Sequence, residues 1–229
     1  MRTAIKNIVL VHGAFEDGSG YEALFHVLTD KGYNVLIVQN PLSSLEEDVN
    51  QTKIVLDRIG GPAVLVGHSW GGVVITEAGN HPNAAALVYV AALQPDNGQS
   101  ALDCITSLPA PKDSAILPPD DKGIVYNEKA KFHAGFCADL APEKAEFMYA
   151  SQGAFYAKAF SAPITNAAWR TKPSWGCVAI DDQTINPDIQ RNMYSRSNTR
   201  IREIKGSHVI FMSKPEEVAE VIIEAAESL

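Results

Sequence analysis

The chain has 229 residues, a length that suits one α/β domain rather than two. Hydrophobic residues make up 46% and charged residues 20%, which is ordinary for a globular protein and argues against intrinsic disorder. Acidic residues outnumber basic ones by 27 to 19, giving a dispersed net charge of −8. Because such a surface repels nucleic-acid phosphates and anionic lipid, neither a nucleic-acid nor a membrane partner is expected.

Three cysteines, Cys104, Cys137 and Cys177, are widely spaced and odd in number. They predict buried, reduced thiols rather than a disulfide framework or a CxxC site. No apolar run approaches the roughly 18 residues of a membrane span. Residues 1–7 also lack the apolar segment of a signal peptide. We therefore expect a cytoplasmic protein.

Over the first 90 residues, short apolar runs alternate with helical patterns. We predict strands at 8–11, 35–38, 63–66 and 85–90, and helices at 20–31, 44–59 and 70–78. Strands that are apolar on both faces are typical of a parallel sheet covered by helices. Ser44 precedes Glu47 by three residues, which predicts a capping box at the start of the second helix.

The alternation stops between residues 94 and 173, where prolines and aromatic residues accumulate. Helical patterns occur there at 143–151 and 154–160. Because some 80 residues are too many for a loop within a compact domain, we predict a helical lid. The lid, 94–173, would be inserted between the two parts of the core, 1–93 and 174–229.

Beyond residue 173 the pattern resumes, with strands at 175–180 and 200–204 and helices at 187–195 and 214–229. The whole pattern predicts an α/β fold. It would have about six mainly parallel strands with helices on both faces of the sheet.

Residues 67–72 read GHSWGG and match the pattern G-x-S-x-G. The match lies between a predicted strand and a predicted helix, where this pattern holds a nucleophilic serine on a sharp turn. Gly67 and Gly71 lack the Cβ atoms that would clash in such a turn. Ser69 is therefore the candidate nucleophile, and the alternative is a tight turn with an incidental serine.

A second turn, residues 12–15, follows the first predicted strand and would face Ser69 across the sheet edge. The backbone N–H groups of Ala14 and Trp70 are then candidate donors of an oxyanion hole, which stabilises a tetrahedral transition state. The alternative is a plain glycine turn. His12 is expected to make structural hydrogen bonds rather than to take part in catalysis.

His208 is the candidate general base because it follows the last predicted strand, so its loop can reach Ser69 from the same end of the sheet. It is the only one of six histidines beyond the lid. His68 is expected to point away from the nucleophile, although it is adjacent in sequence. The remaining histidines are expected at the surface, at helix ends or in the lid: His26, His81 and His133.

The acid that orients this histidine should follow a neighbouring strand. Asp181 and Asp182 both follow the strand predicted at 175–180, and Asp96, after the fourth strand, is a third candidate. The position of the adjacent pair does not distinguish Asp181 from Asp182. The chain order Ser, Asp, His is that of the α/β-hydrolases.

Across nearly its full length the chain resembles the α/β-hydrolase superfamily. It is most similar to the group of small bacterial esterases, plant methyl-ester esterases and hydroxynitrile lyases. The resemblance rests on residues 11–14 (VHGA), 67–72, 182–187 (DQTINP) and 206–208 (GSH), with Lys214-Pro215 beyond. In that group the acid precedes a proline by five positions, so the resemblance favours Asp182. It also places the oxyanion donors at Ala14 and Trp70.

Two positions depart from the hydroxynitrile lyases, which carry lysine where this chain has Val209 and threonine where it has Gly13. Both differences argue against cyanohydrin cleavage. The resemblance therefore implies a serine hydrolase that cleaves a small, largely apolar carboxylic ester through an acyl-enzyme, with no metal or organic cofactor. The alternatives are a C–C hydrolase, a lactonase or a perhydrolase with the same triad, or a ligand-binding receptor on the same scaffold.

Overall fold

In the computed structural model, which describes residues 5–229, six strands form one sheet and two form a small second sheet. The strands in chain order are β1 (Asn7–Val11), β2 (Asn34–Val38), β3 (Ala63–His68), β4 (Ala84–Val90), β5 (Ile124–Val125), β6 (Phe155–Tyr156), β7 (Ser174–Ala179) and β8 (Arg200–Ile204). The large sheet has the order β2-β1-β3-β4-β7-β8, and each neighbouring pair is parallel. Strands β5 and β6 pair antiparallel.

Helices cover both faces of the large sheet. They are α1 (Glu22–Asp30), α2 (Leu45–Ile59), α3 (Trp70–Ala78), α4 (Ala101–Ile105), α5 (Lys129–Phe136), α6 (Pro142–Ala150), α7 (Ala157–Phe160), α8 (Pro187–Arg196), α9 (Ile210–Ser213) and α10 (Pro215–Glu227). The chain leaves β1 for β2 on one side and then crosses to β3 on the other. Because crossovers between parallel strands are right-handed, this reversal places α1 and α2 on opposite faces. Helix α1 packs with α10, and α2 packs with α3.

The reversal of strand order also explains where the loops of interest meet. Strands β1 and β3 are neighbours in the centre of the sheet, and the side chains of β3 are buried on both faces. In open α/β sheets, ligand sites form at the carboxyl ends of the strands beside such a switch point. The loops that carry Gly13 and Ser69 leave the sheet there.

The six predicted core strands and the main core helices are confirmed, with ends that differ by one or two residues. The helix expected from residue 20 begins instead with a 3₁₀ turn, Gly18–Tyr21. The prediction of a helix over 154–160 was wrong for its first half, because Phe155 and Tyr156 form β6 and the helix begins at Ala157. Ser44 does accept the Glu47 N–H at 3.2 Å, but the Glu47 carboxylate contacts Ser43, so only half of the expected capping box is present.

Residues 94–173 contain α4 to α7, the two-stranded β5–β6 sheet and a 3₁₀ turn, and they contact the loops that follow the core strands. The N–H of Tyr156 donates to the carbonyl of Leu42, and the Thr184 hydroxyl donates to the carbonyl of Gly135. Asp139 accepts hydrogen bonds from the Ser207 N–H and the Ser213 hydroxyl. The segment therefore lies over the carboxyl edge of the sheet.

The three cysteines are buried and free, as the sequence predicts. Burial raises the pKa of the Cys104 thiol to about 11 and that of the Cys177 thiol to about 12, so neither is a nucleophilic thiolate at neutral pH. No helix between residues 5 and 229 is both long enough and apolar enough to cross a membrane.

Candidate active site

Ser69 occupies the turn between β3 and α3 with φ 51° and ψ −118°, a strained conformation for a residue with a side chain. A Cβ added to Gly67 would overlap the backbone of Gly71, and one added to Gly71 would overlap the carbonyl of Val11. Both positions therefore require glycine. The side chain of Ser69 is held at the carboxyl edge of the sheet, at the N-terminus of α3.

The turn after β1 lies directly against Ser69. A Cβ added to Gly13 would lie 2.8 Å from the Ser69 Cβ, so the two turns touch. Ala14 follows Gly13, and Trp70 is the first residue of α3. Across the described chain, neither the Ala14 nor the Trp70 amide N–H donates to a protein acceptor. Two unpaired donors thus accompany the Ser69 turn.

His208 is completely buried in the loop between β8 and α9. Its Nδ1 lies 2.8 Å from Oδ2 of Asp182, and its Nε2 is buried without a hydrogen-bond partner. The backbone carbonyl of His208 accepts a hydrogen bond of 3.0 Å from Nε2 of His68, the residue before Ser69. The loop that carries His208 is therefore tied to the Ser69 turn.

Asp182 is held by a set of donors in addition to His208. Its Oδ1 accepts the N–H groups of Thr184 and Ile185 at 2.7 and 3.0 Å, and its Oδ2 accepts Nε2 of Gln190 at 2.8 Å. Gln190 is buried in α8. It was not identified as a site residue from the sequence, because it belongs to no recognised motif. These hydrogen bonds fix the carboxylate as an acceptor toward His208.

The other candidate acids lie elsewhere. Asp181 is exposed, whereas Asp182 is 1% exposed. Asp96 pairs with the Arg170 guanidinium at 2.6 Å, and that hydrogen bond lowers the pKa of its carboxyl below the usual value. Of the three aspartates considered, the structure brings only Asp182 into contact with His208.

Both ring nitrogens of His12 are hydrogen-bonded, one to Asn40 after β2 and one within its own turn. The Asn40 N–H donates to Nε2 at 2.9 Å, so Nδ1 carries the proton and donates to the carbonyl of Gly13 at 2.8 Å. Burial lowers the pKa of His12, which keeps this imidazole neutral. The remaining histidines lie outside the site: His26 is exposed, His81 contacts Asp57, and His133 contacts the carbonyl of Leu140.

Asp48 is a buried acid that the sequence pattern did not identify, since an aspartate in the first turn of a helix is usually a surface residue. Its Oδ2 accepts the indole N–H of Trp70 at 2.7 Å, and its Oδ1 accepts the Leu42 N–H at 2.8 Å. Burial raises the pKa of this carboxyl to about 6, although both hydrogen bonds oppose the shift. Asp48 thereby fixes the indole of Trp70 from behind the candidate site.

A cavity of about 640 Å³ adjoins these residues, and most of the side chains that line it are apolar. Phe15, which follows Ala14, and Thr184, which contacts Asp182, both line it. Phe136 packs against the His208 ring at 5.1 Å and against Phe15 at 6.5 Å between ring centroids. Phe15 therefore belongs both to the cavity lining and to the cluster of aromatic rings that packs on His208.

A strained serine on a strand–turn–helix elbow and a buried His–Asp pair meet at one sheet edge. The model of the Alpha/beta hydrolase family matches residues 8–221.

The chain belongs to the alpha/beta hydrolase family.

Two named relatives of this alpha/beta hydrolase are known from sequence. A pyrethroid hydrolase of Sphingobium wenxiniae is 26% identical over 98% of this chain and 89% of its own length. A carbendazim hydrolyzing esterase of a Nocardioides species is 32% identical, but over 58% of this chain and 54% of its own.

Solved structures share the fold of this alpha/beta hydrolase. The crystal structure of a pyrethroid hydrolase from Sphingobium faniae superposes with a TM-score of 0.81 and 23% identity, covering 98% of both chains. Polyneuridine aldehyde esterase superposes with a TM-score of 0.80 and 17% identity, covering 96% of this chain and 98% of its own. The expected fold, an α/β-hydrolase sheet with helices on both faces, is confirmed.

The Asp48→Asn variant tests the buried acid. The pKa of Asp48 is about 6 in the folded protein and 3.8 ordinarily, so the folded state binds more protons between those values. Asp48 therefore lowers the free energy of unfolding as the pH rises from about 4 to about 6. We expect the wild type to lose up to about 3 kcal/mol relative to Asp48→Asn between pH 4 and pH 7, measured by urea denaturation.

Glu46→Gln is the matched control, because Glu46 is an exposed acid in the same helical turn. It should leave the pH dependence of the wild type unchanged. A stability difference between wild type and Asp48→Asn that is the same at both pH values would contradict the assignment.

Proposed function

We propose that this alpha/beta hydrolase is a serine esterase that cleaves neutral, largely apolar carboxylic esters. The observation that carries the proposal is the state of His208. Its Nδ1 is held 2.8 Å from Asp182, and its buried Nε2 has no partner beside the strained Ser69 turn. A histidine oriented by a carboxylate and open at its second nitrogen is the general base of acyl transfer.

In the proposed reaction the Ser69 hydroxyl attacks the ester carbonyl carbon while Nε2 of His208 takes the hydroxyl proton. Asp182 holds the other nitrogen protonated and stabilises the imidazolium that forms. The unpaired N–H groups of Ala14 and Trp70 donate to the carbonyl oxygen as it becomes negative, each contributing roughly 3 kcal/mol. His208 then protonates the departing alcohol, leaving an acyl-enzyme on Ser69.

Water completes the cycle. His208 removes a proton from a water molecule as it attacks the acyl carbon, and the tetrahedral intermediate collapses to free Ser69 and a carboxylic acid. Each step uses side chains or backbone amides of this chain. The relatives whose names include hydrolase or esterase support an ester as the substrate class.

Residues 94–173 serve in this proposal as a cap over the site, and the cavity beneath them binds the substrate. None of the cavity's lining side chains is charged, and the few polar ones include Thr184 and Asn186. Placing an ionised group among such side chains costs its hydration free energy without compensation. The cavity therefore favours esters whose acyl and alcohol groups are both neutral.

The Ser69→Ala variant tests the nucleophile. Removal of the hydroxyl should lower p-nitrophenol release from p-nitrophenyl butyrate by at least about 10³-fold and abolish labelling by a fluorophosphonate probe. Circular dichroism should show that the variant is folded. If the wild type neither turns over the ester nor takes the label, the esterase proposal fails and ligand binding becomes the better explanation.

The adjacent aspartates provide a matched pair of variants. In Asp182→Asn the amide oxygen still accepts the Thr184 and Ile185 N–H groups, so the NH₂ group faces His208 and imposes the wrong tautomer. We expect kcat to fall by about 10²–10⁴-fold. Asp181→Asn makes the same change at an exposed position and should leave kcat within about two-fold of the wild type. Equal losses in both variants would contradict the role of Asp182.

Substrate charge tests the cavity. p-Nitrophenyl hexanoate and the mono-p-nitrophenyl ester of adipate have the same chain length, but the second ends in a carboxylate. We expect kcat/KM to be about 100-fold lower for the adipate ester, because its carboxylate loses hydration in the cavity. Leu117→Lys adds a cation to the lining and should reduce this ratio, whereas Ile201→Lys on β8 should not. A ratio near one in the wild type would contradict the cavity assignment.

A further inference from the structure

Beside the proposed catalytic residues lies a second buried pair, Glu16 and His68. Nδ1 of His68 lies 2.6 Å from Oε1 of Glu16, and the two side chains are 0% and 5% exposed. The same carboxylate oxygen accepts the Gly13 N–H at 2.8 Å. The proposed acyl transfer uses neither side chain, and no surface pattern in the sequence marked Glu16 as buried.

The hydrogen bonds determine how many protons this pair holds. Nε2 of His68 faces the carbonyl of His208, which can only accept, so Nε2 carries a proton. The 2.6 Å contact between Nδ1 and Glu16 requires a second proton. Burial raises the pKa of Glu16, but the charge of His68 and its hydrogen bond outweigh it and lower the pKa below the usual value. The pair is therefore an imidazolium and a carboxylate, with no net charge.

The pair joins three loops that come from different parts of the sheet. Glu16 holds the amide of Gly13 in the turn after β1, next to Ala14. His68 ends β3 directly before Ser69. Through Nε2 it holds the backbone of His208, whose ring centroid lies 4.7 Å from that of His68. One buried ion pair thus spans the oxyanion turn, the nucleophile turn and the loop of the base.

We propose that Glu16 and His68 are positioning residues for acyl transfer, which hold the Ala14 amide, Ser69 and His208 in their reactive arrangement. The inference rests on the proposed esterase function. Glu16 also balances the positive charge of His68, so that the proposed base can become an imidazolium beside a neutral pair rather than beside an unpaired cation. Binding of the substrate in the cavity does not involve either residue.

Glu16→Gln tests the pair because one oxygen of Glu16 accepts two donors. If the glutamine oxygen takes that place, it can accept from the Gly13 N–H. His68 must then either keep its charge without a counter-ion or lose the proton on Nε2, which releases the His208 carbonyl. If the glutamine NH₂ group takes the position of Oε1, two donors face each other and the hydrogen bond from the Gly13 N–H is lost. A near-isosteric change therefore breaks one connection in either orientation.

We expect Glu16→Gln to lower kcat for p-nitrophenyl butyrate by about 10–100-fold, with KM changed less than about two-fold. Asp17→Asn is the matched control, since it removes one carboxylate from the next residue, which caps only the short 3₁₀ turn. It should leave kcat within about two-fold. A kcat for Glu16→Gln equal to that of Asp17→Asn in an active enzyme would overturn the proposal.

The His68→Asn variant is a second test of the ion pair, and its kcat and KM decide the proposal if Glu16→Gln does not fold. It should lower kcat without raising KM, and adding Glu16→Gln should cost less than about two-fold more, because both changes disrupt one network. If the double variant loses kcat by the product of the two single losses, or if KM alone rises in His68→Asn, the proposal is overturned.

A spectroscopic measurement separates this inference from the proposed function. In ¹⁵N-labelled wild type at neutral pH, both ring nitrogens of His68 should give protonated chemical shifts, assigned by their loss in His68→Asn. In Glu16→Gln one of them should lose its proton. An inactive wild type that shows this signature would contradict the esterase proposal, whereas an active wild type with a singly protonated His68 would contradict the ion pair.

Discussion

The geometry of the candidate active site depends on one backbone contact, the close approach of the turn after β3 to the end of β1. Gly71 lies so near the carbonyl of Val11 that any side chain would overlap it, and a Cβ at Gly13 would lie 2.8 Å from that of Ser69. Ser69 has its positive φ in this turn, and Gly13, the residue before Ala14, lies against it. The strain at Ser69 is sustained because β1 and β3 are buried neighbours at the centre of the sheet.

The core elements could be predicted because each local signal agreed with the global fold. Apolar runs such as 63–66 are stable as strands buried on both faces of a parallel sheet. The glycines around Ser69 match a turn in which side chains would clash. Chain order then limited the base to His208, since a loop after the last strand returns to the same sheet edge. The selection of Asp182 over Asp181 needed family resemblance, because two adjacent aspartates look alike in sequence.

The remaining features depend on contacts between distant parts of the chain. Glu16, Asp48 and Gln190 are polar residues in loops or helical turns where exposure is normal, and only tertiary packing buries them. Residues 154–160 have a helical pattern, yet Phe155 and Tyr156 pair with β5, which the sequence separates from them by some 30 residues. Local periodicity carries no information about such pairings.

The uncharged cavity has a consequence for the end of the reaction cycle. An ester is neutral, but at neutral pH the acid released from it ionises. A carboxylate gains nothing from the apolar side chains that line the cavity, and it is solvated far better in water. In the reaction proposed here, ionisation of the product thus drives its own release. The same feature that admits the substrate would keep product inhibition weak, without any residue dedicated to expelling the product.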